Sequence, residues 1–134
     1  MPFFSSSDQL YMLTQALFDR VQNEDRQAAE TLNKAKLLIR FNCREPEAVI
    51  MINGRRVPAE FTFGVNMTRP EVDIRLAADT LHQILLGDLH LGKALALREI
   101  EVRGPAHKAL AVADLFHECQ SVYPQILLEH GLQL

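Results

Sequence analysis

Between Leu37 and Leu76 segments with apolar residues on every second position recur, and this alternation constrains the chain more than anything else in it. Leu37, Ile39 and Phe41 alternate with Leu38, Arg40 and Asn42, as in a strand with one buried face. Glu45-Pro46 predicts a turn, and Ala48 to Asn53 a second strand. Asn53-Gly54 predicts a hairpin, because both residues tolerate positive φ. Beyond it Ala59, Phe61, Phe63 and Val65 face one way and Glu60, Thr62 and Gly64 the other. After a loop ending in Arg69-Pro70, Val72, Ile74 and Leu76 alternate with Glu71, Asp73 and Arg75. Four strands with one apolar face need a cover, which only the flanking segments can supply.

Those segments read as helices. Leu10, Leu13, Leu17, Val21, Ala28 and Leu32 recur at three- and four-residue steps, after a Ser7 or Asp8 suited to capping, with a bend or split expected at Asn23-Glu24-Asp25. Asp79 is expected to cap a short helix bearing Leu81, Ile84 and Leu85, which Gly87 ends in a left-handed turn. A second apolar helix is predicted from about Leu89 to Leu97. Ile100 and Val102, alternating with Glu101 and Arg103, form a fifth strand. Gly104-Pro105 opens the final helix with proline at its first position, where the missing N–H costs nothing; it runs to about Tyr123. Pro124 interrupts it, and QILLEHGLQL adds a short apolar turn. The fold class is α+β: one domain over 1–134, with a helical segment at 1–34 and the sheet-bearing core at 36–134. A chain of 134 residues, 48% hydrophobic, is enough for one such core.

The chemistry-bearing patterns are sparse. Net charge is −3 with no run of like charges, so nucleic acid is not an expected partner. No segment approaches the length of a membrane span, and Cys43 and Cys119 stand outside any C-x-x-C pattern, which predicts free thiols and a cytoplasmic location. Gly87 to Ala94, GDLHLGKA, fits the phosphate-loop pattern except at its last letter. A helix rather than a strand precedes it, its interior is bulky and carries a carboxylate, and Ala94 lacks the magnesium-binding hydroxyl. His82 and His90, or His107 and His117, lack the spacing that puts two ligands on one helix face, and are expected to be solvated or hydrogen-bonded surface groups. With no G-x-S-x-G and neither thiol in a nucleophile's context, the expectation is no enzyme, no cofactor and no metal.

What remains is a surplus of apolar residues: Leu81, Ile84, Leu85, Leu86, Leu89, Leu91, Leu95 and Leu97 surround more than one face of their two short helices. A sheet face buries one stripe per helix. The surplus therefore reads either as core plus a dimer contact, or as the wall of an apolar cavity between sheet and helices.

The segment EVDIRLAADTLHQILLGDLHLGKALALREIEVRG, Glu71 to Gly104, resembles the central part of the sterol carrier protein 2 domain family. Asp79, Leu81, Ile84, Leu85 and Gly87 occupy its helix pattern D-x-L-x-x-[IL]-[LM]-x-G, and Ile100, Val102 and Gly104 its closing strand. The hairpin from Ala48 to Val65 and the helix after Pro105 follow in the family's order. The resemblance implies a five-stranded sheet covered by helices, with an apolar tunnel for fatty acid, acyl-CoA, sterol-like or isoprenoid lipid and no catalysis. Two features depart from it. The step into the last strand reads Leu97-Arg98-Glu99 where the family often has a small residue, glycine and lysine; and Leu132-Gln133-Leu134 lacks the basic middle residue of a peroxisomal tripeptide. The build resembles bacterial members, some of which serve quinone synthesis or dimerise. On this reading Phe61, Phe63, Ile74, Leu76, Leu81, Leu85, Leu89, Leu91, Leu95 and Phe116 line the cavity, with Lys93 and Arg98 near its mouth. The competing reading is a protein-interaction module or homodimer using MPFF and Ile126-Leu127-Leu128, its cavity filled by its own side chains.

Overall fold

Helix α1 (Ser7–Glu24) is opened by Ser6, one residue before the predicted cap. Ser6 Oγ accepts the N–H of Gln9 at 3.1 Å while Gln9 Oε1 accepts the N–H of Ser5 at 2.7 Å, a variant of the Ser-x-x-Gln box that satisfies free donors of the first turn. Ser7 instead donates its hydroxyl to Glu47 O at 2.5 Å. The computed structural model describes residues 3–24, 30, 34, 36–56, 59–64 and 68–132; Asp25, Ala28, Leu32 and Val65 of the sequence reading lie outside them, as do Met1, Pro2 and residues 133–134.

Five strands form one sheet: β1 (Leu38–Arg44), β2 (Ala48–Asn53), β3 (Glu60–Phe63), β4 (Val72–Ala77) and β5 (Ile100–Arg103), in the order β3-β2-β1-β4-β5. β1 pairs parallel to β4, and the other neighbours are antiparallel. The register collects the alternating residues on one face: Ile39 lies opposite Ile52 and Val72, and Phe41 opposite Ile50 and Ile74. The hairpin predicted from Asn53-Gly54 is formed, β2 pairing antiparallel with β3 from Asn53 opposite Glu60, with a loop longer than two residues. Asn53 Oδ1 accepts the N–H of Arg55 at 3.0 Å, Gly54 N–H extends the ladder to Leu37 O at 2.8 Å, and the connection runs on through 54–59.

β4 passes directly into helix α2 (Ala78–Leu86), followed by α3 (Leu91–Ala96), β5, α4 (Ala106–Gln120) and α5 (Tyr123–Glu129). Asp79 does not cap α2: the cap position is Ala77, and Asp79 Oδ1 accepts the N–H of Phe3 at 2.8 Å. Helix α3 is shorter at both ends than the predicted Leu89–Leu97. Pro105 precedes the first residue of α4, its φ of −61° already helical, and Pro124 sits in the first turn of α5 rather than merely ending α4. Gly104 has φ +136°, and a Cβ there would stand 2.5 Å from Glu71 O, so β5 runs off beside β4 only because this residue is glycine. Leu10, Leu13 and Leu17 of α1 belong to the same buried cluster as the sheet face and α2, α4 and α5.

Candidate functional site

The apolar layer between sheet and helices is where nine-tenths of the predicted lining comes to rest in some form, though at different depths. Ile74 and Leu76 of β4, Leu81 and Leu85 of α2, and Phe116 of α4 are buried together. Phe116 meets Phe41 of β1 with ring centroids 5.6 Å apart, closing sheet against helix. Phe61 and Phe63, on edge strand β3, are half-buried under α1: Phe61 stacks on Phe18 at 5.0 Å, and Phe63 meets Tyr11 edge-on at 6.0 Å. Leu89 and Leu91 are half-buried against the cluster.

Leu95 is the exception. It is 42% exposed, beside Leu97 at 57%. In α3 only Ala94 is buried, and the next residue of a helix is turned by about 100° from it, which carries Leu95 off the layer. Lys93 and Arg98 are exposed on the same short segment. Burial along the chain therefore falls from Leu85 (0%), through the half-buried Leu86, Leu89 and Leu91, to Leu95 and Leu97 at the surface. By contrast Phe4, Ile126 and Leu127 are buried and Phe3 packs against the core cluster, so among the described residues expected on a dimer surface Leu128 alone is exposed.

The polar residue that sequence reasoning misplaced is His82, which is buried rather than on the surface. Its Nδ1 lies 2.8 Å from the Tyr123 hydroxyl, and its ring stacks on Phe3 at 3.6 Å. Phe3 is in turn held by Asp79, so the N-terminal segment is fastened onto α2 by one ring stack and one hydrogen bond. Burial pushes the His82 pKa down, against the opposing pull of Asp79 and Asp88, and pushes the Tyr123 hydroxyl up; the pair is neutral. A signal existed: position 82 falls on the helical stripe 78, 81, 82, 85. Thr14, also buried, donates its hydroxyl to Leu10 O at 2.8 Å within α1.

The opposite sheet face is charged across β1, β4 and β5, though it also carries the buried Leu38 and Met51. Arg40 grips Asp73 through two hydrogen bonds of 3.1 and 2.9 Å, which together with the Asn42 amide hold that carboxyl below its usual range. Cys43 and Cys119 are buried free thiols, and desolvation pushes Cys43 up to about 12, far from a nucleophile's range. Among the described residues no group of three or more His, Cys, Asp or Glu is placed to hold a metal, and no helix is long and apolar enough to cross a membrane. The run Gly87 to Ala94 forms no phosphate cradle: Gly87 has φ 84° and ends α2, while Gly92 and Lys93 lie inside α3.

The chain matches the SCP-2 sterol transfer family over residues 15–117. Among solved structures it is similar to the sterol carrier protein domain 2 of Helicoverpa armigera, with a TM-score of 0.69 and 18% identity over 84% of this chain and 88% of that one. Palmitated SCP2L2 from Aedes aegypti gives 0.60 and 18% over 81% and 94%. The ubiquinone synthesis protein UbiJ-SCP2 gives 0.62 and 14% over 90% and 97%. No curated protein matches the chain.

Proposed function

Since the chain belongs to the SCP-2 sterol transfer family, we propose that it binds a hydrophobic ligand in the apolar layer between sheet and helices and hands it on, with no catalytic step of its own. The observation that carries this reading is the fall in burial among the leucines from Leu85 to Leu97, which brings apolar side chains from core to surface on a segment whose helix is anchored by one small residue. A ligand entering beside Leu89 and Leu91 would exchange water for leucine side chains along its whole length. Likeness to the palmitated insect domain and to the ubiquinone synthesis protein supports a long acyl or isoprenoid tail as the ligand. Two buried free thiols fit a reducing, cytoplasmic setting.

Burying a sixteen-carbon chain offers roughly 12 kcal/mol at about 0.8 kcal/mol per methylene. Association and ordering cost about 4–15 kcal/mol, so binding is about micromolar at its tightest, with loose selectivity. Native mass spectrometry of the purified protein tests this: a bound mass of a few hundred daltons, on the order of one lipid, should leave on denaturation. Palmitate and a long-tailed isoprenoid quinone, each displacing a fluorescent fatty acid, then sort the ligand class. A protein that purifies ligand-free and ignores both would overturn the proposal.

A further inference from the structure

On the polar face of the sheet the charges lie in cross-strand rows. Arg40, Asp73 and Arg103 are neighbours across β1, β4 and β5, and Asn42, Arg75 and Glu101 form the next row. The acids are already engaged: Asp73 by Arg40 and Asn42, and Glu101 by Arg103 at 3.4 Å. Among the described residues Arg44 and Arg75 make no ion pair. Alternation along β1 puts Arg44 on the face of Asn42, which makes it a diagonal neighbour of Arg75, with backbones roughly 7–8 Å apart. Both side chains line a cleft of about 420 Å³, with Asn42, Cys43 and Glu101, where the parallel strands β1 and β4 end.

We propose that this cleft binds a phosphate group between the guanidinium groups of Arg44 and Arg75. The site lies on the face away from the apolar layer, and the inference goes beyond lipid binding and stands without it. Two like charges are brought together by the sheet register, and the carboxylates beside Arg75, Glu101 and Asp73, pair with Arg103 and Arg40, so an oxyanion that accepts from both relieves them. Phosphate suits this better than a carboxylate. A phosphate monoester offers three acceptor oxygens and about 1.5 to 2 negative charges, so each guanidinium can donate to oxygens of its own, whereas the two oxygens of a carboxylate would be shared between them. Glu101 on the wall opposes the anion, and its hold on Arg103 limits that opposition. The group is either a soluble phosphate monoester or a lipid headgroup that ends in a monoester phosphate, and the chemistry of recognition is the same.

The test titrates inorganic phosphate into the full chain at constant ionic strength, following the arginine Nε–H signals by NMR. Saturable shifts are expected at Arg44 and Arg75, about tenfold weaker binding in Arg75→Gln, and tighter binding in Glu101→Gln. Arg44 and Arg75 are exposed, so an unchanged thermal midpoint certifies the fold of each variant. The same proteins are then sedimented with vesicles of phosphatidylcholine containing phosphatidic acid and with vesicles of phosphatidylcholine alone. Retention on the first that is lost in the Arg44→Gln/Arg75→Gln variant assigns a lipid headgroup; phosphate binding without retention assigns a soluble ester. Shifts reproduced by chloride, or undiminished phosphate binding by the double variant, would overturn the site.

Discussion

Helices α2 and α3 follow one another in the chain and end in the same backbone motif, yet they are held very differently. At the end of α2, Gly87 N–H bonds Ile84 O at 3.0 Å and Asp88 N–H bonds Gln83 O at 2.9 Å; at the end of α3, Arg98 N–H bonds Leu95 O at 3.1 Å and Glu99 N–H bonds Ala94 O at 2.9 Å. Helix α2 buries Leu81, His82, Ile84 and Leu85 and carries the N-terminal segment on its first turn, whereas α3 buries Ala94 alone. Equal local geometry thus gives unequal anchorage, because burial and not helix formation supplies most of a short helix's stability. The weakly held helix is also the one whose leucines reach the surface, as the proposal of a yielding cover over the apolar layer requires.

The largest test of that contrast is a pair of truncations. Leu85→Ala should destabilise the protein by about 2–5 kcal/mol in urea unfolding, since Leu85 is fully buried. Leu95→Ala should cost less than about 0.5 kcal/mol. Equal costs would mean that α3 is as much a part of the core as α2, and the idea of a yielding cover would fail.

A smaller pair addresses the shared motif. Gly87 holds φ 84°, and a Cβ there would meet only the end of the Gln120 side chain at 3.8 Å, so Gly87→Ala tests backbone conformation alone and should cost about 1 kcal/mol. Arg98 holds φ 60° with a full side chain, so Arg98→Gly should have the opposite sign, stabilising by up to about 1 kcal/mol. Thermal midpoints measured at one pH report both. A loss on Arg98→Gly would show that its side chain contributes more than its backbone strain costs.

The parts of this molecule legible in the sequence are those that depend on which face a residue takes within its own element. Period-two spacing identified four of the strands and their apolar face, turn signals bounded β2, and helical spacing delivered Leu81 and Leu85 to the layer where Ile74, Leu76 and Phe116 meet them. Glycine at 87 announced its turn because few other residues take that conformation cheaply. Arg98 announced nothing, yet it adopts the same left-handed geometry at the step where the family often places glycine. Leu95 was misassigned because a leucine-rich helix has apolar residues at too many angles for spacing to choose one; contact with the sheet chooses, and it chose Ala94. Asp79 reads as a cap in sequence, but its partner is the backbone of Phe3, a contact no local pattern encodes. The parallel pairing of β1 with β4 was equally hidden, since alternation gives a strand its faces and not its neighbours. Strand pairing also brings Arg44 and Arg75 to one cleft from segments that look unrelated in the chain.

The smallest expected effect sharpens the anchorage of α2, because it isolates the polar tether from the leucines. Folding places His82 where burial pushes its pKa below the ordinary value of 6.5, so the unfolded chain takes up a proton before the folded one does. Between those two pKa values the unfolded state binds more protons, and stability rises with pH. The contribution is fully present above pH 6.5 and is lost as pH falls from there through the folded pKa. Protonation would put a charge on a ring stacked against Phe3 and covered by Phe4, with Asp79 and Asp88 giving partial compensation. The urea midpoint of the parent should therefore decline between pH 7 and pH 5 more steeply than that of His82→Gln, whose side chain does not titrate. The Phe3 amide, donated to Asp79, should lose hydrogen-exchange protection over the same range if the ring stack is what keeps the N-terminal segment down. Parallel pH curves for parent and variant would place the tether in the Asp79 hydrogen bond alone, leaving the leucines of α2 to account for nearly all of its hold.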